Sequence, residues 1–407
     1  MSTFAALVAR LLRWSPLKVL LVAEYYPRAT DPVLGIWAHR QAVATRDAGA
    51  EVRVLVLHRP LPPLAAVRSR DRRSIAAAMR QPASTERDGI RIDYLRYLSP
   101  PRPCSYGTWG AWAAPLLGRA IKRLRATFTF DLVHAHYAVP AGDAVRRAIR
   151  RAPLVVSVHG GDVYGPKAGA PAVRATLRHA RLVLANSAGT AQRCVEHGAR
   201  ITRVVHLGAD LPAHLVPRPE IPTLVTVGHL VARKRHAEVI SALDLLRNRY
   251  PTLRYLIVGD GPERERLQTL VSSLSLENRV EFRGQRPHDE AIALARTGSL
   301  FVLPSVEEAF GVAYVEAMAG GVPAVGCIGE AGPQEIAAAG GGIALVPQGN
   351  VTALAARVGS LLADRRALEA MGRAARVTVE RSFTWQQCGR DTVSAYRAAL
   401  GGFGAKD

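Results

Sequence analysis

Residues 301–326 read FVLPSVEEAFGVAYVEAMAGGVPAVG, and two carboxylates in this segment, Glu308 and Glu316, stand with seven residues between them. An apolar strand ends at Pro304, and the periodicity predicts a helix that starts near Phe310 and ends at Gly320-Gly321. Glu308 then precedes the helix and Glu316 lies two turns inside it, so both carboxylates are expected toward the same end. The first amides of such a helix, those of Ala309, Phe310 and Gly311, have no partner within it and form a donor-rich terminus suited to oxygen atoms. Carboxylates in turn accept hydrogen bonds from sugar hydroxyls. The competing reading is structural, with Glu308 as a helix cap and Glu316 as a solvated surface residue.

Three further sites carry residues capable of chemistry. Lys234 lies in LVTVGHLVARKR (224–235) between Arg233 and Arg235, which read equally well as solvated charges at a helix start. His159 ends the run VVSVH and is followed by Gly160, Gly161 and Asp162, so the backbone can turn tightly and leave the imidazole at a sheet's carboxyl edge. A lone histidine there is more often a satisfied structural residue. His134 and His136 in HAHY alternate along a strand, which places one toward a cleft and one toward the packing side. The sequence contains no Asp-x-Asp and no His/Cys cluster, so neither a metal-dependent nucleotide-sugar site nor a transition-metal site is expected. The GDGP turn at 259–262 lacks a full G-x-G-x-x-G, which argues against a nicotinamide enzyme.

The elements that would position these residues repeat with a regular rhythm. The run 18–23 (KVLLVA), a helical pattern from Trp37 to Asp47 closed by Gly49, and EVRVLVL (51–57) form one βαβ unit. Further strands are predicted at 131–135, 155–159, 182–186 and 203–207, with helical stretches between most of them. In 211–222, LPAHLVPRPEIP, four prolines in twelve residues disfavour helix and strand alike, marking a linker between domains 1–210 and 223–383. Strands resume at 224–228, 255–259, 280–284, 300–304 and 323–326. A final helix over 384–400 follows the second sheet and is expected to pack back across the interface. The fold class is therefore α/β: two Rossmann-like parallel-sheet domains, with a ligand cleft between the carboxyl ends of their strands.

At 407 residues the chain has ample length for two cores, and a hydrophobic content of 48% excludes a disordered or fibrous protein. The net charge of +21 is concentrated: residues 1–210 carry 32 Lys+Arg against 13 Asp+Glu, whereas 211–407 carry 22 against 20. Only five of the 54 basic residues are lysine, so codon bias toward arginine is one source of the excess. The other is an anionic surface. The segments 6–14, 67–80 and 118–125 interleave arginine with apolar residues in the manner of membrane-surface helices. No zinc finger, basic zipper or aromatic RNA-binding signature accompanies the charge, which makes nucleic acid an unlikely partner. Cys104, Cys194, Cys327 and Cys388 fit no metal or redox spacing and read as buried thiols. Arg10, Arg13 and Lys18 interrupt the apolar N-terminus, no cleavage site follows, and no uncharged apolar run reaches membrane-spanning length. The expected location is cytoplasmic, peripheral at the inner face of the cell membrane if the basic half docks there.

The Glu-x7-Glu segment resembles the signature of the retaining glycosyltransferases of family 4, which have the GT-B fold, and in particular the bacterial surface-polysaccharide type. The resemblance extends over nearly the whole chain through PLKVLLVAEYYP (16–27) with Gly35 in the loop that follows, DLVHAHYAVPAGDA (131–144), PLVVSVHGGDVY (153–164), LVTVGHLVARKR (224–235), LRYLIVGDGP (253–262) and GEAGPQEI (329–336). It implies that the C-terminal domain binds a nucleotide-diphospho-sugar, UDP- or GDP-linked, and that the N-terminal domain binds a glycan or lipid-linked acceptor. Transfer would retain the anomeric configuration, without metal or other cofactor. It further implies that Glu308 contacts the donor sugar, Glu316 the ribose, Lys234 the diphosphate and His159 the donor sugar, with Gly35, Ala309, Phe310 and Gly311 in the donor site. His229 departs from the pattern, since most members have a second diphosphate-binding arginine there; Arg233 or a protonated His229 is the expected substitute. A sugar-nucleotide epimerase of similar fold and a non-catalytic nucleic-acid binder are the rival readings, and neither accounts for the glutamate pair, Lys234 and His159 together.

Overall fold

The computed structural model describes residues 16–60, 71–72, 76, 80–100, 105–149, 151–165 and 168–401. The first sheet holds β1 (Leu17–Ala23), β2 (Ala50–His58), β3 (Ser84–Arg87), β4 (Ile90–Arg96), β5 (Leu132–His136), β6 (Leu154–Val158), β7 (Leu182–Ala185) and β8 (Thr202–Val204) in the order β3-β4-β2-β1-β5-β6-β7-β8. Only β3 runs antiparallel to its neighbour. The second sheet, wholly parallel, holds β9 (Thr223–Val227), β10 (Arg254–Val258), β11 (Val280–Phe282), β12 (Leu300–Val302), β13 (Ala324–Cys327) and β14 (Ile343–Val346) in the order β11-β10-β9-β12-β13-β14. Every residue of β5 and β6 is buried, because crossover helices cover both faces of a parallel sheet and leave no polar side.

Both sheets reverse their winding direction once. In the first, the chain runs outward from β1 to β2 and β4 and then crosses to β5 on the other side of β1; in the second it runs from β9 to β10 and β11 and then crosses to β12. Such a reversal opens a crevice beyond the carboxyl ends of the two central strands, because their connections leave in opposite directions. Residues 24–25 and 137 follow β1 and β5 at one crevice, and 228–229 and 303–308 follow β9 and β12 at the other.

The segment 211–222 carries no strand or helix. The final helix, Trp385–Gly401, lies against the first domain: Gln41 Nε2 donates to Thr392 Oγ1 at 3.0 Å, Arg181 Nε donates to the Ala399 carbonyl at 3.2 Å, and Tyr396 Oη lies 2.6 Å from His134 Nδ1. Two elements of the sheets were not anticipated. The β3–β4 hairpin joins through Asp88-Gly89, both in the left-handed region at φ 49 and 70, and β14 follows Gly340-Gly341-Gly342. Cys194, Cys327 and Cys388 are buried and free. Segment 6–14 and most of 67–80 lie outside the described residues. Among those described, no helix is long and apolar enough to cross a membrane.

Candidate functional site

The chain leaves β9 through Gly228 and His229 and makes a 3₁₀ turn at Ala232–Lys234. Lys234 turns back toward the loop after β12, where its Nζ donates to Glu308 Oε2 at 2.5 Å. Ser305 Oγ donates to the same oxygen at 2.8 Å, and an Arg233 guanidinium nitrogen lies 3.9 Å from it. Burial alone would push the Glu308 carboxyl up; the charge of Lys234, its hydrogen bond, Arg233 and Ser305 outweigh burial and hold it below the usual carboxylate range. Glu308 is therefore an ionised acceptor, and it does not cap the helix that follows, whose N-cap is Gly311. Its own amide donates to Glu330 Oε2 at 2.7 Å, while Gln348 Nε2 donates to Glu330 Oε1 at 2.8 Å. Glu330, in the quoted segment 329–336, fixes this loop, a role that nothing in the spacing announced.

The helix itself spans Val312–Ala319 and starts two residues later than expected, because Gly311 takes a left-handed conformation at φ 89 that ends the loop abruptly. Glu316 is buried, and His288 Nε2, at the start of the helix His288–Arg296, lies 3.2 Å from its Oε1. The solvated-residue reading of Glu316 is thereby excluded. The side chains of Ala309 and Phe310 are buried, and the Phe310 ring packs on His206 at 5.5 Å and Phe383 at 5.6 Å. Ala309 lies beside the N-terminal domain, where Thr190 Oγ1 donates to its carbonyl at 3.4 Å. What this loop offers a ligand is backbone: the amides of Ala309, Phe310 and Gly311 take no acceptor among the described residues.

Across the cleft, His159 ends β6 as the N-cap of a short helix, Gly160–Val163. Buried Asp162 accepts from the amides of Ala138 at 3.0 Å and His159 at 3.3 Å and ties β5 to β6; burial pushes its carboxyl up to about 8 against these bonds. His159 is only 6% exposed, and its ring stacks on His136 at 15° with Nε2 3.1 Å from His136 Nδ1. Burial lowers His159 to about 3, so the imidazole is neutral at physiological pH. His134 and His136 do not divide between two faces as expected. Residues two apart on a strand share a face, and their buried rings meet at 4.5 Å, with His134 Nε2 2.7 Å from Ser157 Oγ.

A cavity of 740 Å³ separates the two switch points. Gly35, His229 and Arg233 line it directly, as do Gly259, Asp260 and His288, the partner of Glu316. Gly35 sits at φ 64 where a Cβ would fall 2.1 Å from the Tyr25 carbonyl oxygen, so only glycine lets the loop close over β1. His159 lies behind Trp37 and Tyr137, whose rings are 6.0 and 4.8 Å from its own. Tyr137 is held at φ 73, ψ 139, a region that costs a non-glycine residue about 1–3 kcal/mol. Its amide donates to the Ser157 carbonyl at 2.9 Å and its carbonyl accepts from Gly142 at 3.0 Å.

Two facing Rossmann-like domains, with a lysine–glutamate pair and free amides at one switch point, form an architecture suited to holding an anionic ligand in the cleft between them. The comparisons agree. Residues 34–212 match the model of Glycosyltransferase Family 4, and residues 211–378 that of Glycosyl transferases group 1. The D-inositol 3-phosphate glycosyltransferase of Nocardia farcinica is 31% identical over 306 residues, 67% of each chain. The putative colanic acid biosynthesis glycosyltransferase WcaL of Escherichia coli is 30% identical over 312 residues, 71% of this chain and 76% of that one. Among solved structures, sucrose-phosphate synthase from Thermosynechococcus elongatus superposes with a TM-score of 0.75 at 21% identity, over 95% of this chain and 99% of that one. Anabaena Alr3699/HepE, solved with UDP and glucose, gives 0.69 at 20% identity, over 94% and 100%. The chain belongs to the group 1, family 4 glycosyltransferases, and its fold is GT-B.

Proposed function

We propose that the protein transfers a sugar from a nucleoside-diphosphate donor to a hydroxyl of a glycan or lipid-linked acceptor, with retention and without a metal, in cell-surface polysaccharide or glycolipid synthesis. The observation that carries this reading is the Lys234–Glu308 pair, set beside three unengaged amides at the carboxyl edge of the second sheet. In this reading Lys234 and Arg233 meet the diphosphate charge, and the cation of Lys234 passes from Glu308 to the leaving group as charge develops there. Arg233 takes the part that the departure at His229 leaves vacant, since both line the cavity and Arg233 is permanently charged. Glu316 receives the ribose hydroxyls, displacing His288. Glu308 accepts from donor-sugar hydroxyls, with neutral His159 beneath the wall formed by Trp37 and Tyr137. No covalent nucleophile is required: the acceptor oxygen attacks the face that the diphosphate vacates, and catalysis comes from positioning and charge stabilisation.

The metal-free reading rests on the sequence, which contains no Asp-x-Asp. The surface-glycan role is supported by the relative assigned to colanic acid biosynthesis. Docking of the N-terminal domain on the cytoplasmic face of an anionic membrane is supported by the helix Trp109–Leu124. It buries Ala113, Leu117 and Ile121 and presents Trp112, Arg119, Lys122 and Arg123 to solvent, with Arg125 just beyond it.

The test is a melting screen with UDP, GDP, ADP and their sugar conjugates in excess EDTA, followed by release of free sugar from whichever conjugate binds. One base should raise the melting temperature, since a ligand bound only by the folded state stabilises it by mass action, and its conjugate should be hydrolysed slowly. Binding or hydrolysis that vanishes with EDTA and returns with magnesium or manganese would refute the metal-free reading.

A further inference from the structure

The N-terminal wall of the cleft differs chemically from the C-terminal wall. Among the cavity-lining residues contributed by the first domain, Asp31 alone is charged, and the wall is otherwise Tyr25, Trp37, Tyr106 and Tyr137 with small or aliphatic residues; the cations Arg233 and Arg286 come from the second domain. The chain has only 5 Trp, 11 Tyr and 8 Phe in 407 residues, so four aromatics around one cavity is a concentration that packing alone does not require. All four remain partly exposed. Tyr25 follows β1 and Tyr137 follows β5, the two strands that flank the switch point, and their rings stand 4.7 Å apart at 47°.

Two details indicate that this wall is held for a ligand. Tyr137 keeps its strained backbone between two hydrogen bonds, although glycine would adopt the same φ and ψ without penalty. The strain therefore serves the ring, and a strained residue at a cleft is a pointer to function. Trp37, which lines the same cavity, has a buried Nε1 that takes no hydrogen-bond partner among the described residues.

We propose that Tyr25, Tyr106, Tyr137 and Trp37 form a stacking platform for a pyranose ring of the acceptor, so that the group receiving the sugar is itself a neutral sugar. This rests on the donor assignment made above, which gives the cationic wall to the nucleotide. A pyranose has a face of axial C–H groups and a rim of hydroxyls. The aromatic faces take the first, and the hydroxyl rim is left toward the open cleft. A phosphate headgroup as the receiving group would need cations on this wall, and the wall contributes none. A nucleobase would also stack, and nucleotide binding measured beside pyranoside binding separates the two.

Saturation-transfer NMR on the full-length protein tests the platform directly, with methyl α-pyranosides of glucose, mannose and galactose as probes and with UDP melting shifts measured in parallel. Octyl glucoside below its micellar concentration, compared with the methyl glycosides, separates a lipid-borne sugar from a free glycan. Tyr137→Gly and Tyr25→Ala should each weaken pyranoside binding about threefold to tenfold. Tyr137→Phe and Glu308→Gln should retain it. The second of the two platform variants keeps the test open should the first not fold. Several outcomes would overturn the proposal: unchanged pyranoside binding in both platform variants, tighter binding of glycerol phosphate than of any pyranoside, or loss of the signal in Glu308→Gln alone, which would place the sugar in the donor pocket. A loss of UDP affinity in Tyr137→Gly equal to the loss of pyranoside affinity would assign the platform to the base. Failure of all nucleotides to shift the melting point would instead strike the donor reading, because pyranoside binding is measured without them.

Discussion

Replacing Lys234 with methionine removes the cation from the Glu308 carboxylate while keeping an unbranched side chain only one atom shorter. The two side chains are 13% and 9% exposed, so the pair is nearly dry, and removing one partner of a buried pair costs roughly 3–5 kcal/mol through the charge left behind. Ser305 still donates to Glu308 Oε2 and Arg233 remains 3.9 Å away, which puts the expected cost at the lower end, about 3 kcal/mol. For a domain of this size that corresponds to a fall of roughly 6–12 °C in the C-terminal melting transition. The pH dependence has a definite sign. In the native protein Glu308 lies below its unfolded value, so its contribution is complete above about pH 4.3 and is lost as pH falls through the folded value. Without Lys234 the burial that opposes ionisation, already the largest single influence on Glu308, loses its main counterweights, and the carboxyl rises. The penalty is then greatest near neutrality and shrinks as acid protonates Glu308. Differential scanning calorimetry of both proteins from pH 5 to 8, with Glu308→Gln and the double variant, measures this directly. The double variant should melt above Lys234→Met alone, since glutamine leaves no buried charge. Equal melting of Lys234→Met and the native protein at every pH, or a loss that Glu308→Gln does not relieve, would refute the reasoning.

Phe310→Ala should destabilise the protein by about 3–5 kcal/mol, read as a lower melting point, because the ring is 1% exposed and packs on His206 and Phe383. If the loss appeared only in nucleotide affinity, Phe310 would be a ligand contact after all. Exchanging Arg119, Lys122, Arg123 and Arg125 for glutamate should release the protein from vesicles containing anionic lipid, and native binding should fall steeply with salt, since exposed charges are screened beyond about 8 Å at physiological ionic strength. Equal binding of the native protein to neutral and anionic vesicles, or to neither, would leave codon bias as the source of the charge.

The strands that the sequence disclosed are those buried on both faces, such as β1, β5 and β6, because a parallel sheet under helices demands uninterrupted apolar runs. The β3–β4 hairpin escaped for the opposite reason: Ile90, Ile92 and Tyr94 are buried while Arg91 is exposed, so the segment alternates and no apolar run stands out. Its signal was the Asp88-Gly89 pair, a two-residue turn that takes left-handed conformations. β14 was hidden by its brevity, four residues mostly only half-buried. At the site, the residue types of Glu308, Glu316 and Lys234 were legible. Their partners were not: Ser305 is local, but Glu330 and Gln348 arrive from separate loops and His288 from the start of another helix, and their meeting depends on strand order, which no spacing encodes. The expectation at Phe310 concerned its amide; the packing of its ring on His206 and Phe383 depends on distant segments that no spacing encodes. Tyr137 could have been noticed only as an aromatic next to a histidine, since its strained backbone is set by Ser157 and Gly142.

The central claim is that the second switch point binds a nucleoside diphosphate through Glu316 and Lys234. Isothermal titration of UDP and GDP into the native protein and the Glu316→Ala variant, both in excess EDTA, tests it most directly. One nucleotide should bind saturably to the native protein, and Glu316→Ala should weaken it roughly tenfold to a hundredfold, the loss of a charged hydrogen bond of about 1.5–3 kcal/mol. Binding of neither nucleotide to the native protein, or identical affinity in the variant, would contradict it.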